Sequence, residues 1–164
     1  LARGWWAARV RRTLIYFHPV VGADEQAALE AWLAPAELRL FESMHPADRR
    51  HGLDVAAALR ASRTSDPNLL LAGLLHDCGK GRRVRLVHRI VWSLGKRYGA
   101  WICGLFWHLP TFPSGLARLR DHAAMSAQLV RDAGCGERVV ELIRNQETPI
   151  DDAGRLLLAA DEDN

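Results

Sequence analysis

The segment from Asp66-Pro67 through Leu70, Leu71, Leu74 and Leu75 constrains this chain more than any other. An aspartate carboxylate can accept a hydrogen bond from an unpaired N–H in the first helical turn. A proline in the next position gives up an N–H that would have no partner there. The leucines then recur at helical spacing and form one stripe that must be buried. His76 and Asp77 are expected to close this helix, with Gly79 as its C-terminal exit. Such a helix needs other helices to cover it. Alternating strand patterns are rare in the chain, and Ala, Leu, Arg and Glu dominate.

Helical spacing recurs on both sides of this segment. It is seen over Asp24–Leu33, over Glu37–Phe41 behind Pro35, and from Pro46 through His51, Val55, Ala58 and Leu59 to about Arg60. After it, two helices are expected over 82–97 and 98–109, broken near Gly95–Gly99. Pro110–Ser114 reads as a loop, and further helices as 115–133, from Glu137 to about Glu147, and Asp152–Ala160. With 164 residues, 49% of them hydrophobic, the chain can bury one core without staples. The expectation is all-α: a single compact helical domain. A basic segment and leading helices occupy 1–45, the main domain 46–164, and an excursion about 82–115. Cys78, Cys103 and Cys135 form no C-x-x-C, so a zinc ribbon or disulfide framework is excluded and reduced thiols in a cytoplasmic setting are expected.

Charge is unevenly placed. Residues 1–23 hold four basic residues and no acid, and residues 78–120 hold nine basic residues and no acid. Those stretches total +13 and the remainder −10, although the net charge is only +3. Five of the six tryptophans (Trp5, Trp6, Trp92, Trp101, Trp107) lie in the basic stretches. Basic charge mixed with tryptophan suits an anionic membrane surface, which would place the protein peripherally at the inner membrane face through 82–109. It also suits nucleic acid, although the acidic remainder argues against a nucleic-acid polymer. The same pattern fits core tryptophans flanked by solvated arginines. The most apolar window, Tyr98 to Leu109, is too short to cross a bilayer, which needs roughly 20 residues.

Several chemistries are absent from the sequence. There is no G-x-S-x-G elbow and no H-E-x-x-H, and Gly79-Lys80-Gly81 lacks the remaining residues of a phosphate loop. Histidine and aspartate remain. Imidazole and carboxylate together suit a divalent ion such as Mn, Fe, Co, Ni or Zn. His76 and Asp77 at a helix end, His51 one helix earlier and Asp161 on the last helix would make a two-histidine, two-aspartate site. Spacing alone fits equally well isolated histidines and an acidic tail shared with Glu162 and Asp163.

The segment Leu70-Leu-Leu-Ala-Gly-Leu-Leu-His-Asp-Cys-Gly-Lys80 resembles the signature of the HD-domain superfamily of metal-dependent phosphohydrolases. In that pattern a histidine precedes a His-Asp pair at the end of an apolar helix, and a distant aspartate follows. His51 resembles the first histidine, His76 and Asp77 match the pair, and Asp161 in Leu158-Ala-Ala-Asp161 resembles the terminal aspartate. The similarity covers roughly 46–163. It implies an HD-type helical domain with metal ligands His51, His76, Asp77 and Asp161. It also implies a hydrolase that cleaves a phosphate ester (a nucleotide, a cyclic dinucleotide or a similar phosphorylated small molecule) with metal-activated water. Asp77, Lys80 and His122 are its implied catalytic residues. Asp77 would hold metal and water, Lys80 would neutralise phosphate charge, and His122 would be a second-site ligand or a proton donor to the leaving oxygen.

Branches with two metals often carry a His-His pair before Glu where this chain reads Asn145-Gln146-Glu147. One divalent ion (Mn, Fe, Co, Ni, Zn or Mg) is therefore expected rather than two. The same departure motivates an alternative, a non-catalytic HD-fold binding or sensory module.

Overall fold

Capping chemistry sets where the helices begin. The structure is a computed structural model that describes residues 19–164. The expectations for Trp5, Trp6 and the first arginines lie outside the described residues. Helix α1 spans Ala23–Trp32 and α2 spans Pro35–Ser43. Each begins where a glutamate reaches back to a free backbone N–H: Gly22 N–H donates to Glu25 and Ala34 N–H donates to Glu37. Helix α3 spans Pro46–Ala61, and its His45 cap accepts from the Ala47 N–H at 3.1 Å. Helix α4 spans Pro67–Leu75 and is capped by Asp66, which accepts from the Asn68 N–H at 2.9 Å.

The exit from α4 differs from expectation. His76 is its C-cap, Asp77 follows, and Cys78–Lys80 make one 3₁₀ turn. The left-handed residue is Gly81, at φ 64°, rather than Gly79. Helix α5 then runs Leu86–Tyr98 and keeps Gly95 inside it, because a Cβ there would meet Cys103 Sγ at 2.5 Å. The break comes at Gly99, at φ 121°, and the helix after it, α6, covers only Trp101–Leu105. Helix α7 spans Phe112–Asp132, so it starts inside the expected loop, with Pro113 in its first turn where the missing N–H is harmless. Helix α8 spans Glu137–Arg144 and α9 spans Asp152–Asp163. Helix α9 thus extends past Ala160 and carries Asp161 within it. No strand occurs among the described residues, and the fold is all-α.

Helix α4 lies at the centre. It packs on α3, α8 and α9, and the 3₁₀ turn that follows it packs on α7. Leu69, Leu74 and Leu75 join Val55 and Leu59 of α3, Phe41 of α2, Val130 of α7, Val140 and Ile143 of α8 and Leu157 of α9 in one apolar core. Residues 82–115 form a small cluster together with Leu116: Val91, Phe112 and Leu116, flanked by Trp92, Ile102, Cys103 and Phe106. One buried ion pair ties this excursion to the main body. Arg89 on α5 reaches both carboxylate oxygens of Asp48 on α3, and Asp48 is almost fully buried. A fork of this kind fixes orientation as well as charge.

Candidate metal centre

The centre depends first on how closely α3 and α4 approach. Gly52 faces the α4 backbone so tightly that a Cβ would lie 2.4 Å from the Leu74 carbonyl oxygen. From the other side, a Cβ on Gly73 would lie 2.7 Å from a Leu59 methyl. These two glycines bring His51, next to Gly52, against His76, the cap of α4. The imidazole rings meet edge to face with centroids 5.2 Å apart.

Helix α9 supplies the third group. His51 Nε2–H donates to Asp161 Oδ1 at 2.8 Å, and His76 Nε2 lies 3.6 Å from the same oxygen. The ligand atoms of His51, His76 and Asp161 all lie within 4.8 Å of one another. The His76 ring is fixed because its Nδ1–H donates to the Gly73 carbonyl at 2.9 Å. Such a bond orients a metal-binding histidine and leaves its Nε2 for the ion. The Asp161 side chain keeps 35% of its surface exposed while that of His76 keeps 2%, so the group opens to solvent on the α9 side.

Asp77 stands beside this group rather than within it. Its Oδ2 receives the Lys80 ammonium at 2.5 Å and lies 3.6 Å from His76 Nε2. Its Oδ1 lies 3.6 Å from His122 Nε2 on α7. His122 is held by its Nδ1–H, which donates to the Leu119 carbonyl at 2.7 Å. Two buried polar atoms here lack a hydrogen-bond partner among the described residues, His76 Nε2 and Asp77 Oδ1. Buried nitrogen and oxygen atoms are rarely left so, and a bound ion or water is a common reason. With two imidazoles and two carboxylates around them, the residues fit a divalent cation.

The charges of these groups are interdependent. Burial alone would lower the His76 pKa, but the Asp77 and Asp161 carboxylates outweigh it and raise it to about 9. Burial lowers His51, and the nearby Asp161 does not overcome it. Burial would raise Asp77, yet His76 and Lys80 hold it well below the usual carboxylate range. Asp161 is likewise held low, against its burial, by His51 and His76. His122 is lowered by burial and by the Lys80 charge. The site is therefore a pair of persistent carboxylates with a proton on His76, and a cation binding there must displace that proton.

Four neighbours of the site make contacts that the sequence does not reveal. Gly79 N–H donates to Ser126 Oγ at 2.8 Å, and a Cβ on Gly79 would lie 2.5 Å from the His122 carbonyl oxygen. The small residue at Gly79 is thus needed for α7 to approach, not for the exit of α4. Arg118, one turn before His122 on α7, donates its Nε–H to the Gly79 carbonyl at 3.0 Å. Gln146 is buried and donates Nε2–H to the His76 carbonyl at 3.4 Å. It braces the backbone of His76. Two carboxylates next to site residues in the chain are paired otherwise: Asp54 on α3 with Arg50 at 2.9 Å, and Asp121 on α7 with the exposed Arg120 at 2.8 Å.

Cys78 adjoins Asp77 but is packed inward. It is 4% exposed, its thiol faces the Ser126 carbonyl, and burial pushes its pKa up to about 12. A raised thiol pKa removes thiolate, the reactive form, at neutral and mildly basic pH. Cys78 is therefore expected to resist alkylation by iodoacetamide at pH 8 in the folded protein and to react on unfolding in urea. Peptide mass mapping of the alkylated sites checks this, and rapid labelling of Cys78 in the native protein would contradict it.

No protein-family model, curated protein or solved structure matches this chain. The functional reading rests on the site itself.

Proposed function

We propose that the protein is a metal-dependent phosphohydrolase of HD type, acting on the phosphate ester of a nucleotide or similar small molecule. The observation that carries this reading is the convergence of His51, His76 and Asp161 from three helices beside the unpartnered Asp77 Oδ1. His51, His76 and Asp161 would hold the ion, with the Asp77 carboxylate, whose Oδ2 lies 3.6 Å from His76 Nε2, completing the set. A divalent ion bound there supplies polarisation of a phosphoryl oxygen and a lowered pKa for coordinated water.

The chain's own residues do the rest. Asp77 orients the attacking water through the oxygen that faces His122. Lys80, whose ammonium already sits on the other Asp77 oxygen, meets the phosphate charge as it builds. Arg118 adds a second positive group on the same side, since its guanidinium lies against Gly79 and Gly81 at the edge of the 3₁₀ turn. His122, its ring fixed by Leu119 and its pKa lowered by burial, accepts a proton at Nε2 before giving one to the leaving oxygen.

The test is metal content and phosphate-ester turnover of the parent protein beside Asp77→Ala. The expected result is bound metal and turnover in the parent, with turnover lost in the variant. Equal hydrolysis by the two proteins would overturn the proposal. Metal binding by the parent without turnover across a panel of phosphate esters would favour a binding or sensory module.

A further inference from the structure

The excursion formed by α5, α6 and the following turn has an apolar surface that none of the described residues covers. Seven of the eleven large hydrophobic residues exposed among the described residues fall within 87–109: Val87, Ile90, Tyr98, Trp101, Leu105, Trp107 and Leu109. Such crowding is more than the scatter of single apolar residues normal on a protein surface. Val87, Ile90, half-buried Leu94 and Tyr98 follow one another at three- and four-residue steps, which places them on one side of α5, and exposed Trp101 opens α6 just past the break at Gly99. The adjoining edge of the same side is already occupied, with Val91 against Phe112 and Leu116. Helix α5 therefore has one wide apolar face, of which the Val91 edge is packed while Val87 and Ile90 stay exposed among the described residues.

We infer that this surface, with its tip at Trp101–Leu109, docks the protein on an anionic lipid bilayer. Three observations select that occupant. First, no acidic residue occurs from 78 to 120, while nine basic residues do. At the end of α5, Arg97 lies 5.5 Å from the Tyr98 ring and Lys96 is half exposed, its ammonium 3.0 Å from Glu147. Tryptophan and tyrosine beside lysine and arginine are the side chains that settle at headgroup depth. Second, a second copy of the chain would set this stretch, which holds no acid of its own, against itself, and residues 1–18 are also basic without acid. Like charge disfavours both as covers. Third, Val87, Ile90, Leu105 and Leu109 are aliphatic, and they match the upper acyl region of a bilayer better than a nucleic-acid strand, which offers stacking faces and phosphates. Among the described residues no helix is long and apolar enough to cross a membrane, so the contact is with the surface.

This inference is independent of the phosphohydrolase reading. Its test is sedimentation of the full chain with vesicles of phosphatidylcholine alone, or of phosphatidylcholine mixed with phosphatidylglycerol. The second protein is a triple variant, Trp101→Ser, Leu105→Ser and Trp107→Ser, at positions 65%, 66% and 53% exposed whose truncation leaves the core intact. Circular dichroism confirms that the variant folds. The parent is expected to sediment with the anionic vesicles, to do so poorly with the neutral ones, and to be released by salt. The variant is expected to bind at least about 100-fold more weakly, each large apolar side chain being worth about tenfold or more when fully buried. Absence of binding to anionic vesicles would overturn the inference, as would equal binding to neutral vesicles. So would undiminished binding by the folded variant, which would assign the contact to another part of the chain. A parent dimer that the variant dissolves, without vesicle binding, would assign the surface to self-association.

Discussion

Asp161→Ala is expected to lower divalent-metal affinity by more than about 100-fold, beyond the ~10–100-fold typical of residues that only brace a ligand, and to abolish phosphate-ester cleavage. Its Oδ1 is the atom shared by both histidines, 2.8 Å from His51 Nε2 and 3.6 Å from His76 Nε2. Removing it leaves two imidazoles with no anion between them, and only Asp77 remains to balance an ion. Asp163→Ala, two residues further along α9 and exposed, is the control and should leave affinity unchanged. The pH dependence has a fixed sign. Below about 9 His76 holds a proton that a metal must displace, so apparent affinity should rise as pH increases from 6 towards 9 and proton release should accompany binding. Titration calorimetry in buffers of different ionisation enthalpy measures both effects. Metal bound as tightly by Asp161→Ala as by the parent would remove the three-helix site from consideration.

How much of this was legible in the sequence depends on whether the signal was local. The start of α4 was readable because Asp66, Pro67 and the Asn68 N–H form a cap within three residues. The leucine stripe and the helical class follow from spacing for the same reason. Asp161 looked equally like part of an acidic tail, and only the extension of α9 to Asp163 carries it inward to His51. Gly79 shows the limit more sharply. A glycine after a helix reads as a left-handed exit, but its role here is to admit the backbone of α7, which is distant in sequence. Gln146 and Arg118 were missed for the same reason, since each bonds to a backbone carbonyl far along the chain. The tryptophans of the excursion illustrate a further gap. Periodicity identifies an apolar face, but it cannot say which part of that face the fold will cover. The structure half-buries Trp92 and exposes Trp101 and Trp107.

The second large effect is expected from a single methyl group at Gly52. An alanine Cβ there would stand 2.4 Å from the Leu74 carbonyl oxygen, 3.2 Å from its carbon and 3.4 Å from its Cα. All three are backbone atoms inside α4, so no rotamer change can relieve the overlap. Helix α3 must move off α4, and Val55 and Leu59 move with it, away from the close fit at Gly73. Overpacking of this kind costs about 3 kcal/mol, of which the better helix propensity of alanine returns about 1 kcal/mol. A net loss of about 2 kcal/mol in urea unfolding is expected. The functional loss should exceed what that destabilisation explains, because His51 is the adjacent residue and its ring must stay 5.2 Å from that of His76 for both to reach one ion. Gly104→Ala is the matched control. Nothing lies within 4 Å of a Cβ at Gly104 in the exposed helix α6, so alanine there should be neutral or slightly stabilising and leave metal affinity alone. If Gly52→Ala proved as stable as the parent and bound metal equally well, the close crossing of α3 and α4 could not be what sets the histidine pair.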